Sequence, residues 1–262
     1  MISLQNYSLS LNSKKILDTI SFSFQENKIL GINGPSQAGK TILTYVLAGI
    51  REKHFSHAKI SGIIERKNFS FEEIGFVFQN IGMQFSGITS SVEEEIAFAL
   101  EQFGISQEII RARIEEQLQQ FGISHLRSQN PKTLSGGETK LLVLACELAK
   151  HPKLLIIDEL SSSLNAKNIF NICQILKSYK NNSTIMVIDS RLDILTSLCD
   201  SLLLLHDGKQ LYYGKPSQLP ISEIPLSDFD VPDWVTLQML LEKKSLSLSY
   251  KETLQWLKNI NL

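Results

Sequence analysis

The stretch that decides the fold is Gly34-Pro35-Ser36-Gln37-Ala38-Gly39-Lys40-Thr41. It fits the pattern G-x-x-x-x-G-K-[ST], in which glycines let successive backbone N–H groups converge on phosphate oxygens. An alternating strand pattern precedes it from Lys28 to Asn33, and helical spacing follows it from Lys40 to Ile50. A strand, a glycine loop and a helix in that order predict a phosphate-binding loop, with Lys40 on the terminal phosphates and Thr41 on Mg²⁺.

Strand patterns lie on both sides of this loop. Ile2 to Leu11 and Ile20 to Phe24 alternate apolar and polar residues and predict a β-rich opening. Farther along, Ile74 to Phe78 predicts another strand. The apolar runs Leu154 to Ile157 and Thr184 to Ile188 predict strands buried on both faces. Helical spacing at 166–179 joins those two runs, so a βαβ unit and a parallel sheet are expected.

A helical region separates these strands. The pattern from Ser91 to Leu126 is helical, and Ser91-Val-Glu-Glu94 predicts a capping box at its start. The apolar faces of this region are predicted to contain Phe98, Leu100, Ile109, Ile110, Ile114, Leu118 and Phe121. We expect residues from Phe85 to about Lys150 to form a helical subdomain inserted between strands of the core.

The C-terminal part contains a hairpin and a tail. Leu202 to His206, the turn Asp207-Gly208 and Gln210 to Tyr213 predict two antiparallel strands. Four prolines between Pro216 and Pro232 predict a linker, and a small helical tail follows from Val235.

Composition excludes several classes of protein. The 262 residues are 43% hydrophobic and 20% charged, which is ordinary for a globular chain. The 26 Lys and Arg nearly balance the 27 Asp and Glu, so bulk attraction to nucleic acid is not expected. The apolar runs are far shorter than the roughly 20 residues that a membrane-spanning helix needs.

Two further motifs carry chemistry. Asp158-Glu159 follows the buried run at 154–157, where Asp158 is placed to hold Mg²⁺ and Glu159 to polarise an attacking water. Leu134-Ser135-Gly136-Gly137-Glu138 precedes a helical run and predicts a second anion-binding nest. Two phosphate-binding elements in one chain make sense if the second serves the nucleotide of a facing subunit.

The order of these motifs resembles the nucleotide-binding domain of ATP-binding cassette (ABC) ATPases. The resemblance covers residues 1–215 and includes the phosphate loop, Gln79, the segments 134–138 and 154–159, and a polar segment at 189–191. It implies an α/β P-loop NTPase cassette, with a parallel-sheet core, an antiparallel β subdomain and the inserted helical subdomain. Residues 216–262 would form a linker and a C-terminal helical dimerisation segment.

A narrower resemblance points to one group within that family. Phe78 to Phe85, Ser91 to Leu100 and Phe229 to Pro232 are similar to the ATPase subunits of energy-coupling factor (ECF) transporters. That group imports vitamins and transition-metal ions. It pairs two ATPases with a transmembrane coupling protein and a substrate-binding membrane protein. The resemblance implies that Asn80 to Gly87 help form a groove for coupling helices of the membrane protein.

The resemblance also implies roles for single residues. Residues 34–41 would bind the phosphates of ATP, and Ser135, Gly136 and Gly137 would contact the γ-phosphate bound by a partner subunit. Gln79 would contact Mg²⁺ and the attacking water. Asp158 would hold Mg²⁺ and Glu159 would be the general base.

Five positions depart from the family pattern. Gln37 stands where a glycine is usual, Glu138 replaces the signature glutamine, and Asn165 replaces an aspartate. Leu11 stands where an aromatic residue normally stacks on adenine, and Tyr7, four residues earlier, is expected to be a packing residue.

The largest departure is Ser190, which falls where the family has a switch histidine, so it takes that catalytic place here. A serine hydroxyl can donate a hydrogen bond but cannot carry positive charge. A slow site on this chain's own phosphate loop is therefore expected.

The resulting hypothesis is an ATP-binding subunit of an ABC/ECF-type importer, peripheral to the cytoplasmic face of the cell membrane. It would bind ATP and Mg²⁺ at an interface with a second ABC ATPase subunit, identical or not, and hydrolyse ATP to drive transport. Two alternatives stay open. One is a non-transport ABC ATPase, opposed by the absence of a long coiled-coil insertion and of a basic surface signal. The other is a non-hydrolysing structural or regulatory subunit of a heterodimeric pair, favoured by Ser190, Asn165 and Gln37.

Overall fold

The computed structural model describes residues 1–50, 57–66, 69–240, 247 and 250–258. In these residues the strands are Ile2–Leu11 (β1), Lys14–Phe24 (β2), Ile29–Asn33 (β3), Lys59–Glu65 (β4), Ile74–Val77 (β5), Leu154–Asp158 (β6), Thr184–Ile188 (β7), Ser201–His206 (β8) and Lys209–Gly214 (β9). The α-helices are Lys40–Ala48 (α1), Val92–Glu101 (α2), Gln107–Gln120 (α3), Gly136–Ala149 (α4), Ala166–Tyr179 (α5), Leu192–Leu198 (α6), Asp233–Leu240 (α7) and Tyr250–Lys258 (α8).

The chain forms two compact units. The first unit comprises Met1–Phe24, Ile29–Arg66 and Ile188–Leu262, and the second comprises Gln25–Lys28 and Lys67–Val187. The predicted division into 1–215 and 216–262 separates a cassette from a tail, whereas the two compact units are groups of residues within the folded chain. The predicted division therefore stays a prediction.

The first unit is built on strands in the order β4-β1-β2-β9-β8-β3. β1 pairs antiparallel with β2 and β4, and β8 pairs antiparallel with β9. β3 pairs parallel with β8, and all five of its residues are buried. A chain that leaves β3 must therefore turn sharply into α1, and the phosphate loop occupies that turn. Helix α1 ends at Gly49, whose φ of 82° is the left-handed conformation of a helix C-cap.

The second unit combines three strands with the helices of the insertion. β6 lies between β7 and β5, and it pairs parallel with β5. All residues of β6 and β7 are buried, which confirms the prediction from their apolar runs. Helices α2, α3 and α4 contact one another. Their shared core contains Ile96, Leu100, Ile110, Ile114, Leu118, Leu142 and Leu144.

Most predicted elements are confirmed, including α5 between β6 and β7 and the β8–β9 hairpin. Asp207 and Gly208 both have positive φ, 47° and 74°, which is typical of a two-residue type I′ turn. The linker at 216–232 contains three short 3₁₀ turns, and α7 and α8 follow it. Residues 241–246, 248, 249 and 259–262 of the predicted helical tail lie outside the described residues.

Four predictions need correction. β4 was missed, because nearly all of its residues are exposed and no alternating burial marks it. β2 begins at Lys14, six residues before the predicted start at Ile20. Phe98 and Ile109 were assigned to apolar core faces but are 42% and 47% exposed, because they point away from the core of the insertion.

The fourth correction concerns the start of α2. The Ser91 side chain accepts the N–H of Glu94 at 3.2 Å, which is half of the predicted capping box. The Glu94 carboxylate accepts the N–H and the hydroxyl of Ser90, both at 2.7 Å, instead of reaching back to Ser91 as the box requires. Ser90 offers two donors at once, so the carboxylate binds one residue earlier.

No helix among the described residues is long and apolar enough to cross a membrane.

Candidate functional site

The phosphate loop joins β3 to α1 in the first unit. A Cβ atom on Gly34 would lie 2.2 Å from the carbonyl oxygen of Leu205, and one on Gly39 would lie 2.9 Å from that of Ile16. Gly39 also has a φ of 92°. Both positions therefore require glycine, and the loop backbone can approach its neighbours and a ligand closely.

Gln37 occupies the left-handed region with a φ of 65°. ABC ATPases, which the sequence resembles, usually have a glycine at this position. The backbone at Gln37 has a conformation that suits glycine. A residue with a Cβ costs about 1 kcal/mol or more in this conformation. This strain is a physical reason to expect a stiffer loop at Gln37.

Lys40 is folded onto the loop that precedes it. Its Nζ donates to the carbonyl oxygens of Gly34 and Pro35, each at 2.7 Å. The ammonium group therefore lies at the centre of the loop, where an anionic phosphate would compete with two neutral carbonyls for it. Phosphate carries negative charge and the two carbonyls do not, so Coulombic attraction to the ammonium group favours a bound phosphate in this exchange.

A cleft of about 570 Å³ opens beside the loop. Its lining includes Lys14, Lys15 and Ile16 from β2 and Asp207 and Gly208 from the β8–β9 turn. The side chain of Tyr7 is fully buried, as expected of a packing residue. Lys14 and Lys15 add positive charge to the cleft, which sequence reasoning missed because paired lysines at a strand start are common on surfaces.

The segment around Ser190 also belongs to the first unit. Ser190 is exposed. The buried Asn33 side chain donates its Nδ2 to the carbonyl oxygens of Asp189 at 2.8 Å and Ser190 at 2.7 Å. Asp189 Oδ1 accepts the N–H of Arg191 at 2.8 Å. The backbone that presents Ser190 is thus held to the end of β3, immediately before Gly34. Asn33 was missed, although a lone amide at the end of an apolar strand was a usable signal.

In the second unit, Gln79 and Glu159 meet directly. Gln79 Nε2 donates to Glu159 Oε1 at 2.7 Å, across 80 positions of sequence. Asp158 is the last residue of β6 and is buried, whereas Glu159 is partly exposed. Glu159 has a φ of 58°, which turns the chain sharply at the strand end. The structure therefore brings two of the three predicted catalytic residues together, with the glutamate carboxylate open to solvent.

The second glycine-rich element starts α4. Ser135 is its N-cap, and the Glu138 carboxylate accepts the N–H of Ser135 at 2.8 Å and its hydroxyl at 2.6 Å. These hydrogen bonds lower the pKa of Glu138 below its ordinary value, so the carboxylate is ionised at neutral pH. The self-capped start puts one negative charge beside the backbone N–H groups of the nest.

A cleft of about 770 Å³ lies at this nest. Its lining includes Ser135, Gly136, Gly137, Ser163 and Asn165. A Cβ atom on Gly137 would lie 2.9 Å from the carbonyl oxygen of Ser163, so glycine is needed for the close approach of these two segments. Asn165 has taken a structural role as the N-cap of α5, where its side chain accepts the N–H of Asn168 at 2.9 Å.

The donor atoms expected for Mg²⁺ are all oxygens: the Thr41 hydroxyl, the Asp158 carboxylate and the Gln79 amide oxygen. Mg²⁺ is commonly held by one or two carboxylates together with phosphate and water, so this set fits it chemically. Within the described part of the chain, no group of three or more His, Cys, Asp and Glu side chains forms a metal site of its own.

One residue beneath Glu159 was missed entirely. Lys140 is fully buried on α4, and its Nζ donates to the carbonyl oxygen of Glu159 and to Ser162 Oγ, the latter at 2.7 Å. A single lysine inside the apolar helix at 139–149 was the signal that could have found it, because an unpartnered lysine is rarely buried.

Comparisons with known proteins agree with this geometry. A family model described as "ABC transporter" matches residues 17–162. The energy-coupling factor transporter ATP-binding protein EcfA of Aster yellows witches'-broom phytoplasma is 30% identical, over 92% of this chain and 89% of that protein.

Two solved structures share the fold. cbiO1 from Clostridium perfringens, described as part of the ABC transporter complex cbiONQ, aligns with a TM-score of 0.71 at 23% identity, over 83% of this chain and 89% of that one. The ATP-binding cassette MJ0796, solved as a dimer bound to ADP and Pi, aligns with a TM-score of 0.69 at 20% identity, over 84% of this chain and 100% of that one. The fold is thus the ABC cassette of P-loop NTPases, with a mixed α/β sheet.

Proposed function

This chain belongs to the ABC transporter family of ATP-binding proteins, and on that premise we propose that it is the ATP-binding subunit of an ECF-type importer. It binds ATP and Mg²⁺ at the interface with a second ABC ATPase subunit. Hydrolysis of this ATP drives transport of a micronutrient, a vitamin or a transition-metal ion. The observation that carries the hydrolytic part is the 2.7 Å hydrogen bond between Gln79 and Glu159, because it pairs a carboxylate with an amide that can share one water.

Binding of the nucleotide begins at the phosphate loop. Backbone N–H groups of the loop at 34–41, other than Pro35, and of the N-terminus of α1 donate to the phosphate oxygens. Lys40 leaves the carbonyls of Gly34 and Pro35 to bind the phosphates. The Ile16 side chain, which lines the cleft beside the loop, offers an apolar surface for the base in place of the usual aromatic ring.

Mg²⁺, held by Thr41, Asp158 and Gln79, would neutralise charge on the phosphate oxygens. Glu159 accepts a proton from the water that attacks the γ-phosphorus, and the bond to the bridging oxygen breaks to give ADP and inorganic phosphate. Gln79 orients this water through its amide. The protein's part is to position these groups, which is where most of the catalysis of phosphoryl transfer arises.

The nest at Ser135, Gly136 and Gly137 serves the nucleotide bound by the partner subunit. Closure of the pair on two ATP molecules brings each nest onto the other subunit's γ-phosphate, and hydrolysis releases it. Ser190 takes the place of the switch histidine in this chain's own site. Its hydroxyl can donate to the γ-phosphate without supplying positive charge, so this site is the slower one of an asymmetric pair.

The surface for the membrane partners is the segment Asn80 to Gly87. Gln84 ties this segment to β5 and the residue after it, donating to the Phe76 carbonyl and accepting the Phe78 N–H, both at 2.7 Å. A groove of about 130 Å³ lies beside it, lined in part by Phe85, Phe98 and Glu147. Burial raises the pKa of Glu147.

Glu147 is already paired with Lys150 at 2.8 Å, so the groove offers mainly the apolar surface of Phe85 and Phe98, which suits a coupling helix that carries apolar residues. This groove receives the transmembrane coupling protein, whose complex includes the substrate-binding membrane protein. The assembled chain is peripheral to the cytoplasmic face of the cell membrane. Residues 216–262 supply the dimerisation segment.

The test is ATP turnover of the chain alone and of the complex that co-purifies with it, in wild type, Glu159→Gln and Ser190→His. Because the partner site would hide a slow site, turnover is measured in a complex whose partner subunit carries an inactivated nucleotide site. There we expect Glu159→Gln to lower turnover by about 100-fold or more. Ser190→His should accelerate turnover at this site. Glu108→Gln, an exposed glutamate on α3, is the matched control.

Two results would contradict the proposal. Unchanged turnover in Glu159→Gln would reject Glu159 as general base. It would favour the alternative of a non-hydrolysing subunit, which the serine at position 190 also supports. Co-purification with no integral membrane protein would favour a non-transport ABC ATPase.

A further inference from the structure

Lys140 is a charged residue in the interior of the second unit. Its side chain has 0% exposure, whereas lysine is almost never fully buried unless it is paired. Taking an ammonium group out of water costs several kcal/mol unless hydrogen bonds replace the lost hydration. Burial of a lysine at this position is therefore expected only if its hydrogen bonds have a role that an apolar side chain cannot fill.

Those hydrogen bonds converge on one peptide group. Lys140 Nζ donates to the carbonyl oxygen of Glu159. Ser162 Oγ donates to the same oxygen at 3.0 Å, and the Ser162 N–H approaches it at 3.4 Å. Lys140 Nζ also donates to Ser162 Oγ at 2.7 Å, so lysine, serine and carbonyl form a closed triangle.

The peptide group that they hold is a strained one. Glu159 has a φ of 58°, in the left-handed region, which costs a residue with a side chain about 1–2 kcal/mol. Such a conformation persists only where surrounding contacts over-determine it. Three donors on a single carbonyl oxygen provide that over-determination.

The direction of the Glu159 side chain depends on this backbone conformation. With φ positive, Oε1 of Glu159 lies 2.7 Å from Gln79 Nε2. A return of Glu159 to negative φ would rotate its Cα–Cβ bond and move the carboxylate away from Gln79. A displacement of about 1 Å at a catalytic group can lower a rate by about 100-fold.

We propose that Lys140 is a positioning residue for Glu159. Its ammonium group fixes the Glu159 peptide in the left-handed conformation and thereby directs the carboxylate toward Gln79. Lys140 lies on α4, five positions after Ser135, so it also ties Glu159 to the helix whose N-terminus forms the nest. This inference rests on the proposed role of Glu159 as general base.

The experiment compares ATP turnover and ATP affinity of wild type and Lys140→Met in the assembled complex whose partner subunit carries an inactivated nucleotide site. Methionine keeps the length and fills the space but removes the charge and all three donors. We expect kcat to fall by about 10- to 100-fold while the Kd for ATP changes less than about twofold, because the phosphate loop is untouched. Lys140→Gln, which keeps a donor, should recover part of the loss.

A stability control separates positioning from general damage to the helix. Leu142→Ala opens a cavity two positions along α4 and should lower the melting temperature without a change in kcat per folded molecule. Lys140→Met introduced into Glu159→Gln should cause no further loss, since the group that it positions is already disabled. Full additivity of the two losses would overturn the proposal.

Other outcomes also decide the question. A folded Lys140→Met complex with wild-type kcat overturns the inference while leaving the proposed function intact, provided that Glu159→Gln is inactive. If Lys140→Met fails to fold, Lys140→Gln and Ser162→Ala replace it, and wild-type kcat in both would overturn the inference. If Glu159→Gln itself retains full turnover, the failure lies with the proposed function.

Discussion

The two glycine-rich helix starts of this molecule contrast in how their backbone donors are used. α1 begins after Gly39, which has a φ of 92° and offers no side-chain cap. α4 begins after Ser135, whose capping box with Glu138 satisfies the backbone N–H groups of both residues. The first start carries the Lys40 ammonium above its loop, whereas the second carries the Glu138 carboxylate.

This difference shows why similar glycine patterns need not be equivalent sites. A helix N-terminus without a cap leaves its first N–H groups for an anion, and a lysine beside it adds a full charge. A capped N-terminus with a carboxylate has a competing anion of its own. We therefore expect the first to bind nucleotide alone and the second to need a partner that brings the phosphate close enough to compete.

The largest expected effect comes from removing the cation of the first site. Lys40→Met should lower the affinity of the isolated chain for ATP by about 100-fold, because a charge-assisted hydrogen bond to phosphate is lost. Isothermal titration with ATP and Mg²⁺ measures it. Lys177→Met, an exposed lysine on α5, is the matched control and should bind as wild type does. Equal affinity in Lys40→Met and wild type would break the contrast between the two sites.

A smaller and different effect is expected at the second site. Ser135→Ala should leave ATP binding by the isolated chain within about twofold of wild type but lower turnover of the complex by about tenfold. Ser91→Ala is its control, because Ser91 caps α2 in the same way and its loss should cost about 1 kcal/mol of stability without affecting turnover. If Ser135→Ala weakens ATP binding by the isolated chain, the nest does not depend on a partner.

The smallest effect is the pH dependence of the capping box. Hydrogen bonds from Ser135 lower the pKa of Glu138, so its stabilising contribution is present above the unfolded-state pKa and is lost as pH falls through the lower folded-state value. Because the group is solvent-accessible, we expect about 0.5 kcal/mol. Urea unfolding of wild type and Glu138→Gln at pH 7 and pH 3 measures it, with Glu108→Gln, an exposed glutamate in the first turn of α3, as control. A gap between wild type and Glu138→Gln that is equal at both pH values would contradict the assignment.

Local patterns predicted the elements that bury a face or bind through contiguous backbone. The phosphate loop, β6, β7, α5 and the turn at Asp207-Gly208 all follow from short-range spacing. β4 could not be found this way, because backbone pairing with β1 stabilises it more than burial does. Gly62 in β4 has a φ of 86°, and a Cβ there would lie 2.3 Å from the Asn6 carbonyl oxygen, so the pairing contains an irregularity.

The candidate site divides in the same manner. Residues 34–41, 135–138 and 158–159 could be chosen from the sequence, because each binds or reacts through groups that are adjacent in the chain. The roles of Lys140 and Asn33 could not, since a polar residue in an apolar run indicates a buried partner without saying which. The capping box predicted at Ser91 was half wrong because Ser90 and Ser91 compete for the Glu94 carboxylate, and the sequence does not show which serine binds it.

By itself, the sequence determined the family, the glycine loop at 34–41 and the order of the strands and helices other than β4. These depend on residue types at fixed short spacing, which the geometry of the backbone imposes. Only the tertiary structure decided that Gln79 lies on Glu159 and that Lys140 supports the Glu159 peptide. Contacts between side chains on separate elements depend on packing and on local competition among donors, and periodicity carries no information about either.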